Sequence, residues 1–361
     1  MANSGLTAVT DDAGRARRDG GLAAFAWQDL LRRRRGAWLE ALGLGPRQTP
    51  ATEVAARPGY RLLDYGGEGE APVLIVPAPI KQAYIFDLLP ARSVVRQCRE
   101  RARQRVFMLH WTPPGAAERG LAEYVGGDLD GAVAAVTALT GRAPVLIGHS
   151  LGGTFAALYA ALHPERLRGL VLLEAPLKFG QDAFAAMVRR PQAQALLEGD
   201  GPVPGSFLNV ASVSAAPEAF VYERLVDRLA CLSQPQAAEV HLRVERWTLD
   251  EMPMARRLFA DVVGQLFRDD RFMRGELVIA GQPARPEHAQ VPLLAVADPR
   301  SRVVPAQALR AFFDQVRHPA KRWLEYHGDV GVGLQHVGVL VGESAHRELW
   351  PAICDWIRER D

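Results

Sequence analysis

Cysteine is scarce in this 361-residue chain, and the three present, Cys98, Cys231 and Cys354, lie far apart with no C-x-x-C arrangement. That spacing supports neither a disulfide framework nor a zinc site, and it sets the expectation of a reduced protein with no bound metal. Lysine is equally scarce: of the 43 basic residues, all but Lys81, Lys178 and Lys321 are arginine. This bias reads as genomic base composition and carries no mechanism. An excess of either charge is lacking too. The 41 acidic residues leave a formal charge of +2, and no stripe of interleaved aromatic and basic side chains stands out, so nucleic acid is not an expected partner. Long apolar runs are absent. The stretch Val73 to Ile80 contains prolines and falls short of the roughly 20 residues that cross a bilayer, so no transmembrane segment is expected. Met1 to Gly21 is polar, mixes charges and has no apolar h-region, which points to a cytoplasmic protein without a secretory signal.

What remains is an ordinary globular composition, 48% hydrophobic and 23% charged, in a chain long enough for one large core plus an insertion. Residues 1–21 lack the apolar surface to offset ordering and are expected to form a disordered tail. Leu22 to Leu44 reads as an amphipathic helix, within a segment bounded at 22–48, and its run Arg32 to Arg35 suits either a solvated face or a contact with an anionic partner. From Tyr60 onward short apolar runs alternate with helical stretches. Strands are expected at Val73–Val76, Val106–Trp111, Val145–Ile147, Leu170–Glu174, Leu293–Ala297 and Trp323–Tyr326. Helices are expected near Ser93–Arg103, Tyr124–Leu139, Thr154–Leu162, Ala306–Val316 and Ala345–Arg358. This alternation is the signature of an α/β fold with a mostly parallel central sheet flanked by helices. It is interrupted over 178–289, a helix-rich interval that reads as an inserted cap between core segments 49–177 and 290–361.

Gly148-His149-Ser150-Leu151-Gly152 follows one expected strand and precedes a helix. A plain glycine-rich turn is the competing reading, but strand, G-x-S-x-G and helix in that order are the context of a nucleophile elbow, and so of an α/β-hydrolase fold. Ser150 is then the candidate nucleophile, and the N–H of Leu151 a candidate oxyanion donor. The second donor belongs in the loop Val76-Pro77-Ala78-Pro79-Ile80-Lys81. Proline has no N–H, which leaves Ala78 or Ile80. A serine needs a base, and His336, late in the chain, fits the order serine, acid, histidine; His327 is the alternative. The acid is open between Asp298, in the loop after the expected strand Leu293–Ala297, and Glu174, at the end of the strand that follows the nucleophile. The place four residues before Pro305, where such an acid commonly sits, holds Ser301.

With those residues placed, the chain resembles the polyhydroxyalkanoate synthases, above all the short class III catalytic subunit. The stretches that carry the likeness are Val76-Pro77-Ala78-Pro79-Ile80-Lys81, His110-Trp111-Thr112-Pro113-Pro114-Gly115, the elbow with Tyr159 to Pro164, Pro204 to Asn209, Glu245-Arg246-Trp247, Gly275 to Val278 and His336-Val337-Gly338-Val339. The resemblance implies a thiol nucleophile where this chain has Ser150, and a catalytic aspartate where it has Ser301; the family's histidine falls on His336. It also implies a hydroxyacyl group delivered as a coenzyme A thioester, with no resident cofactor. The preferred expectation is a serine-dependent esterase or thioesterase acting on hydroxyacyl esters, hydroxyacyl-coenzyme A or short polyesters. The first alternative is a synthase that uses serine for cysteine. The second is a weakly active or inactive paralogue that binds a synthase complex or polyester granule. A homodimer is compatible with each.

Overall fold

The computed structural model describes residues 24–115, 118–179 and 201–361. The expected tail and residues 180–200 of the expected cap lie outside the described residues.

Short runs of Val, Leu and Ile that are buried on both faces suit a parallel sheet covered by helices on either side. The observed strands are β1 (Thr52–Arg57), β2 (Tyr60–Asp64), β3 (Pro72–Val76), β4 (Arg105–Trp111), β5 (Val145–His149), β6 (Gly169–Leu173), β7 (Leu293–Ala297) and β8 (Lys321–Glu325). They form one eight-stranded sheet in the order β1-β2-β4-β3-β5-β6-β7-β8. From β4 to β8 every pairing is parallel, with Ile75 opposite Ile147, Ile147 opposite Val171 and Leu293 opposite both Leu170 and Lys321. Only β2 runs against the rest of this sheet, pairing antiparallel with both β1 and β4. Strands β1 and β2 escape the sequence pattern. β1 is an edge strand whose only half-buried residues are Val54 and Ala55, so it shows no apolar run to detect.

Helices cover both faces. On one side α2 (Asp130–Thr140), α3 (Leu151–Leu162) and α8 (Ala306–Gln315) close a core around Phe155, Val133 and Phe312; on the other α9 (Trp350–Arg358) closes a core of Val94, Cys98, Trp350 and Trp356. All three cysteines are free and buried. Cys98 meets Cys354, and that contact together with burial holds its thiol well above the usual range, so it is not a thiolate nucleophile.

Between β6 and β7 the chain leaves the sheet, and α4 (Gly205–Ala215), α5 (Glu223–Ala230), α6 (Pro235–Thr248) and α7 (Arg256–Asp261) form the described part of the cap. A small hairpin, Leu277–Ile279 with Gln282–Ala284, follows them and packs on α3, joining the main core. Ahead of the sheet, α1 (residues 24–39) lies against the cap. Asp29 accepts the Ser206 N–H at 2.7 Å, the Phe25 carbonyl accepts the Ser206 hydroxyl at 2.7 Å, and Phe25 meets Phe207 edge-on. The arginine run divides. Arg32 turns inward onto Glu251 and the Thr248 carbonyl, each at 2.7 Å, while Arg33, Arg34 and Arg35 stay exposed.

Glu251 is the meeting point of three segments. Its side chain is 3% exposed and binds Arg32 of α1 and, at 2.6 Å, Lys81 of the loop after β3. Removing one partner of a buried pair leaves charge uncompensated, a cost of several kcal/mol that is smaller here because both cations remain partly exposed. Glu251→Ala is therefore expected to lower unfolding stability by about 2 kcal/mol in urea titrations. Breaking the exposed Arg96–Glu100 pair by Glu100→Ala should cost under about 0.5 kcal/mol.

Candidate active site

Strand β5 ends at His149 and α3 begins at Leu151, which leaves Ser150 alone in the turn with φ 54° and ψ −133°. A non-glycine residue at positive φ holds roughly 1–3 kcal/mol of strain and persists only where its surroundings fix it. Here the Ser150 N–H donates to the Leu173 carbonyl at 3.0 Å, and the Ser150 carbonyl accepts the Thr154 N–H at 3.1 Å. Small neighbours are obligatory. A Cβ at Gly148 would lie 2.5 Å from Gly153 Cα, and one at Gly152 would lie 2.6 Å from the Pro77 carbonyl carbon.

That second approach carries the loop after β3 to the elbow. Trp111 Nε1 donates to the Pro77 carbonyl at 2.7 Å and pins the loop where it turns. Ala78 and Ile80, the two candidate donors, line the same cavity as Ser150 and Leu151. Leu151 is the first residue of α3, so its N–H is among those that a helix start leaves without an intrahelical partner.

His336 sits in a short helical turn after β8 and lines the cavity with Ser150. Its Nδ1 lies 2.9 Å from Glu174 Oε2. Of the two acid candidates, the structure therefore brings Glu174 to the histidine. Asp298 is also buried, but its carboxylate turns back into its own loop and accepts the Arg300 backbone N–H at 2.8 Å. Glu174 follows directly after β6 with φ 44°, a second strained residue at the same end of the sheet. Ser301, where the resemblance implies an aspartate, donates its hydroxyl to Glu174 Oε2 at 3.1 Å.

The electrostatics follow from burial. Loss of water lowers His336 to about 4, so its imidazole is neutral at pH 7. With Nδ1–H donated to the carboxylate, Nε2 keeps the lone pair that a general base needs. Burial and the neighbouring Asp298 push Glu174 well above the usual carboxylate range, while hydrogen bonds from Ser301 and the Asp298 backbone oppose that rise.

His149 is a participant that the motif did not reveal. Burial drops it to about 3, its Nε2 lies 2.8 Å from the His336 carbonyl, and the two rings stand 4.7 Å apart. As a neutral ring it donates to that carbonyl and fixes the backbone of the base. It occupies a variable place in the elbow, so no sequence signal marks it. His327 is exposed beside Glu325. His346, in the helix expected from Ala345, is buried, with Nε2 2.7 Å from the Leu340 carbonyl.

The cavity at Ser150 measures about 230 Å³. Its far wall is cap: Leu208, Ala211, Phe259, Val262, Val263 and Phe267. A serine hydroxyl in a strained turn, a neutral imidazole, a buried carboxyl group and an apolar chamber together suit transfer of an acyl group.

The family described as alpha/beta hydrolase fold matches residues 73–198. Among solved structures, the monoacylglycerol lipase of Paleococcus ferrophilus superposes with a TM-score of 0.53 at 16% identity, covering 84% of this chain and 99% of the lipase. An esterase from Thermogutta terrifontis gives 0.53 at 18% identity, covering 87% and 99%. At these identities the likeness is one of fold. The chain has the α/β-hydrolase fold, built on an eight-stranded, mostly parallel sheet. In sequence it is similar to poly(3-hydroxyalkanoate) polymerase subunits. It is 30% identical to that of Haloferax mediterranei over 328 residues, 87% of this chain and 64% of the relative's length. It is 28% identical to that of Allochromatium vinosum over 294 residues, 80% and 81% of the two chains. These relatives favour the synthase alternative over the esterase expectation drawn from the serine.

Two outcomes follow from this geometry. Gly152→Ala should abolish labelling of Ser150 by a fluorophosphonate, read by mass spectrometry, because the added methyl collides with backbone and not with a flexible side chain. Three buried histidines, His149, His336 and His346, have folded values below the unfolded 6.5. Their neutral forms support folding above pH 6.5, and that support is lost as pH falls toward 4. The urea midpoint should decline over this window, and less steeply in a His346→Asn variant.

Proposed function

We propose that the protein is a 3-hydroxyacyl transferase of the polymerase kind, taking hydroxyacyl-coenzyme A and working through Ser150. The observation that carries this reading is the similarity to polymerase subunits across four-fifths or more of the chain, joined to an apolar cavity that holds Ser150 and His336. His336 Nε2 takes the proton as Ser150 Oγ attacks the acyl carbon. The oxyanion that forms is met by the Leu151 N–H and one donor of the Ala78 to Ile80 loop. Coenzyme A departs as the thiol with the proton that His336 returns, leaving an oxygen ester on Ser150. His336 then takes a proton from the hydroxyl of a second hydroxyacyl group, which attacks the ester, lengthens the chain and restores the serine. Glu174 keeps the imidazole in the required tautomer and steadies its cation.

One observation favours a second reading, hydrolysis. The nucleophile is an oxygen, and a serine ester is a less reactive acyl donor than the thioester a cysteine would carry. Water, small and always present, then competes well with a hydroxyl. A single assay separates the two: supply 3-hydroxybutyryl-coenzyme A, follow coenzyme A release, and analyse the acyl product. Transfer yields insoluble or oligomeric ester and little free acid; free acid alone establishes hydrolysis. Under either reading Ser150→Ala should lower the rate at least about a thousandfold. Wild-type activity in that variant would refute both.

A further inference from the structure

Glu174 Oε2 is shared. It faces His336 Nδ1 at 2.9 Å and receives the Ser301 hydroxyl at 3.1 Å. The serine has no freedom to aim elsewhere, because its Oγ also accepts the Val304 N–H at 3.2 Å, which leaves its own proton for the carboxylate. The backbone is set as well: the Ser301 N–H closes a turn onto the Asp298 carbonyl at 3.0 Å, and the Glu174 N–H reaches the Val296 carbonyl at 2.9 Å. The other carboxylate oxygen, Oε1, is buried with no hydrogen-bond partner among the described residues. An anion at Glu174 is thus supported almost wholly through Oε2, and among the described residues Ser301 is its one side-chain donor besides His336.

We propose that Ser301 is a positioning residue that keeps Glu174 ionised and aimed at His336, and that positions 174 and 301 are interchangeable seats for the carboxylate that serves this histidine. The proposal rests on the reading of Ser150 and His336 as an acyl-transfer pair. Position 301 already places a side-chain oxygen 3.1 Å from where the working carboxylate oxygen lies. An aspartate there extends the side chain by one more bond toward that same point.

The charges around the pair act in known directions. Asp298, at the end of β7, disfavours a second anion; its own charge is partly answered by Arg300, whose backbone N–H it accepts and whose Nε lies 3.4 Å away. Tyr326, at the end of β8, feels both carboxylates and stays a neutral phenol. His149, stacked on His336, is neutral too. Against Asp298 and burial, the Ser301 hydroxyl and the Asp298 backbone N–H are the forces that favour the carboxylate. Without the hydroxyl, the Glu174–His336 pair takes up a proton at higher pH, and the base is lost sooner on acidification.

The test is the pH profile of kcat/KM for release of coenzyme A from 3-hydroxybutyryl-coenzyme A by the full chain. Ser301→Ala should move the acidic midpoint up by about one pH unit, with a smaller change in the plateau. Ser301→Thr, which keeps the hydroxyl, should restore the wild-type midpoint. Glu174→Gln should lose at least about a hundredfold, and Ser301→Asp added to it should regain at least about tenfold. An unmoved midpoint in Ser301→Ala, or a double variant no more active than Glu174→Gln while both remain folded by circular dichroism, overturns the proposal. Activity that survives Ser150→Ala would instead remove the reading on which it rests.

Discussion

The geometry of the site hangs on one close approach of two backbones. The turn at Ser150 brings Gly152 against the Val76–Pro77 peptide, with no room for a methyl group between them. This contact fixes the nucleophile relative to the loop that offers Ala78 and Ile80, because both belong to chain segments that leave adjacent strands, β3 and β5. Strain at Ser150 and at Glu174 is held at the same end of the sheet by hydrogen bonds to neighbouring strands, Leu173 for one and Val296 for the other. The sheet is the rigid frame, and Ser150 and Glu174 both sit in turns with positive φ at one end of it.

A second level of order comes from the cap. Its apolar residues line the cavity over Ser150, and its anchor is ionic: Glu251 joins cap, loop and N-terminal helix through Lys81 and Arg32. Lys81 also lies over the Trp247 ring at 5.1 Å. The same lysine thus belongs to the loop that borders the nucleophile and to the fastening of the lid above it. The Met252 N–H bonded to the Ile80 carbonyl at 3.0 Å and Trp247 Nε1 bonded to the Gln82 carbonyl at 2.8 Å join cap and loop beside it.

Much of this was legible in the sequence. Strands β3 to β7 were placed within a residue or two, because burial on both faces forces continuous apolar runs. The elbow was legible because its glycines answer a steric demand. β1 was not, since an exposed edge needs no apolar run. The burial of His346 was hidden because helical periodicity shows a face without saying what covers it. The acid was the hardest to place. A carboxylate acts through where its loop bends, and spacing alone left Asp298 and Glu174 standing together until the fold put one on His336 and turned the other toward Arg300. His149 carried no signal, for its role lies in a bond to a carbonyl 187 residues away.

The burial of all three cysteines leaves the molecule with a chemically silent surface toward thiol reagents. A sulfur introduced at position 150 would be the sole thiol in contact with the cavity. Its alkylation rate by reagents of increasing bulk would then measure how large a molecule reaches the cavity. The scarcity of reactive cysteine would let that one sulfur report on the cavity without background.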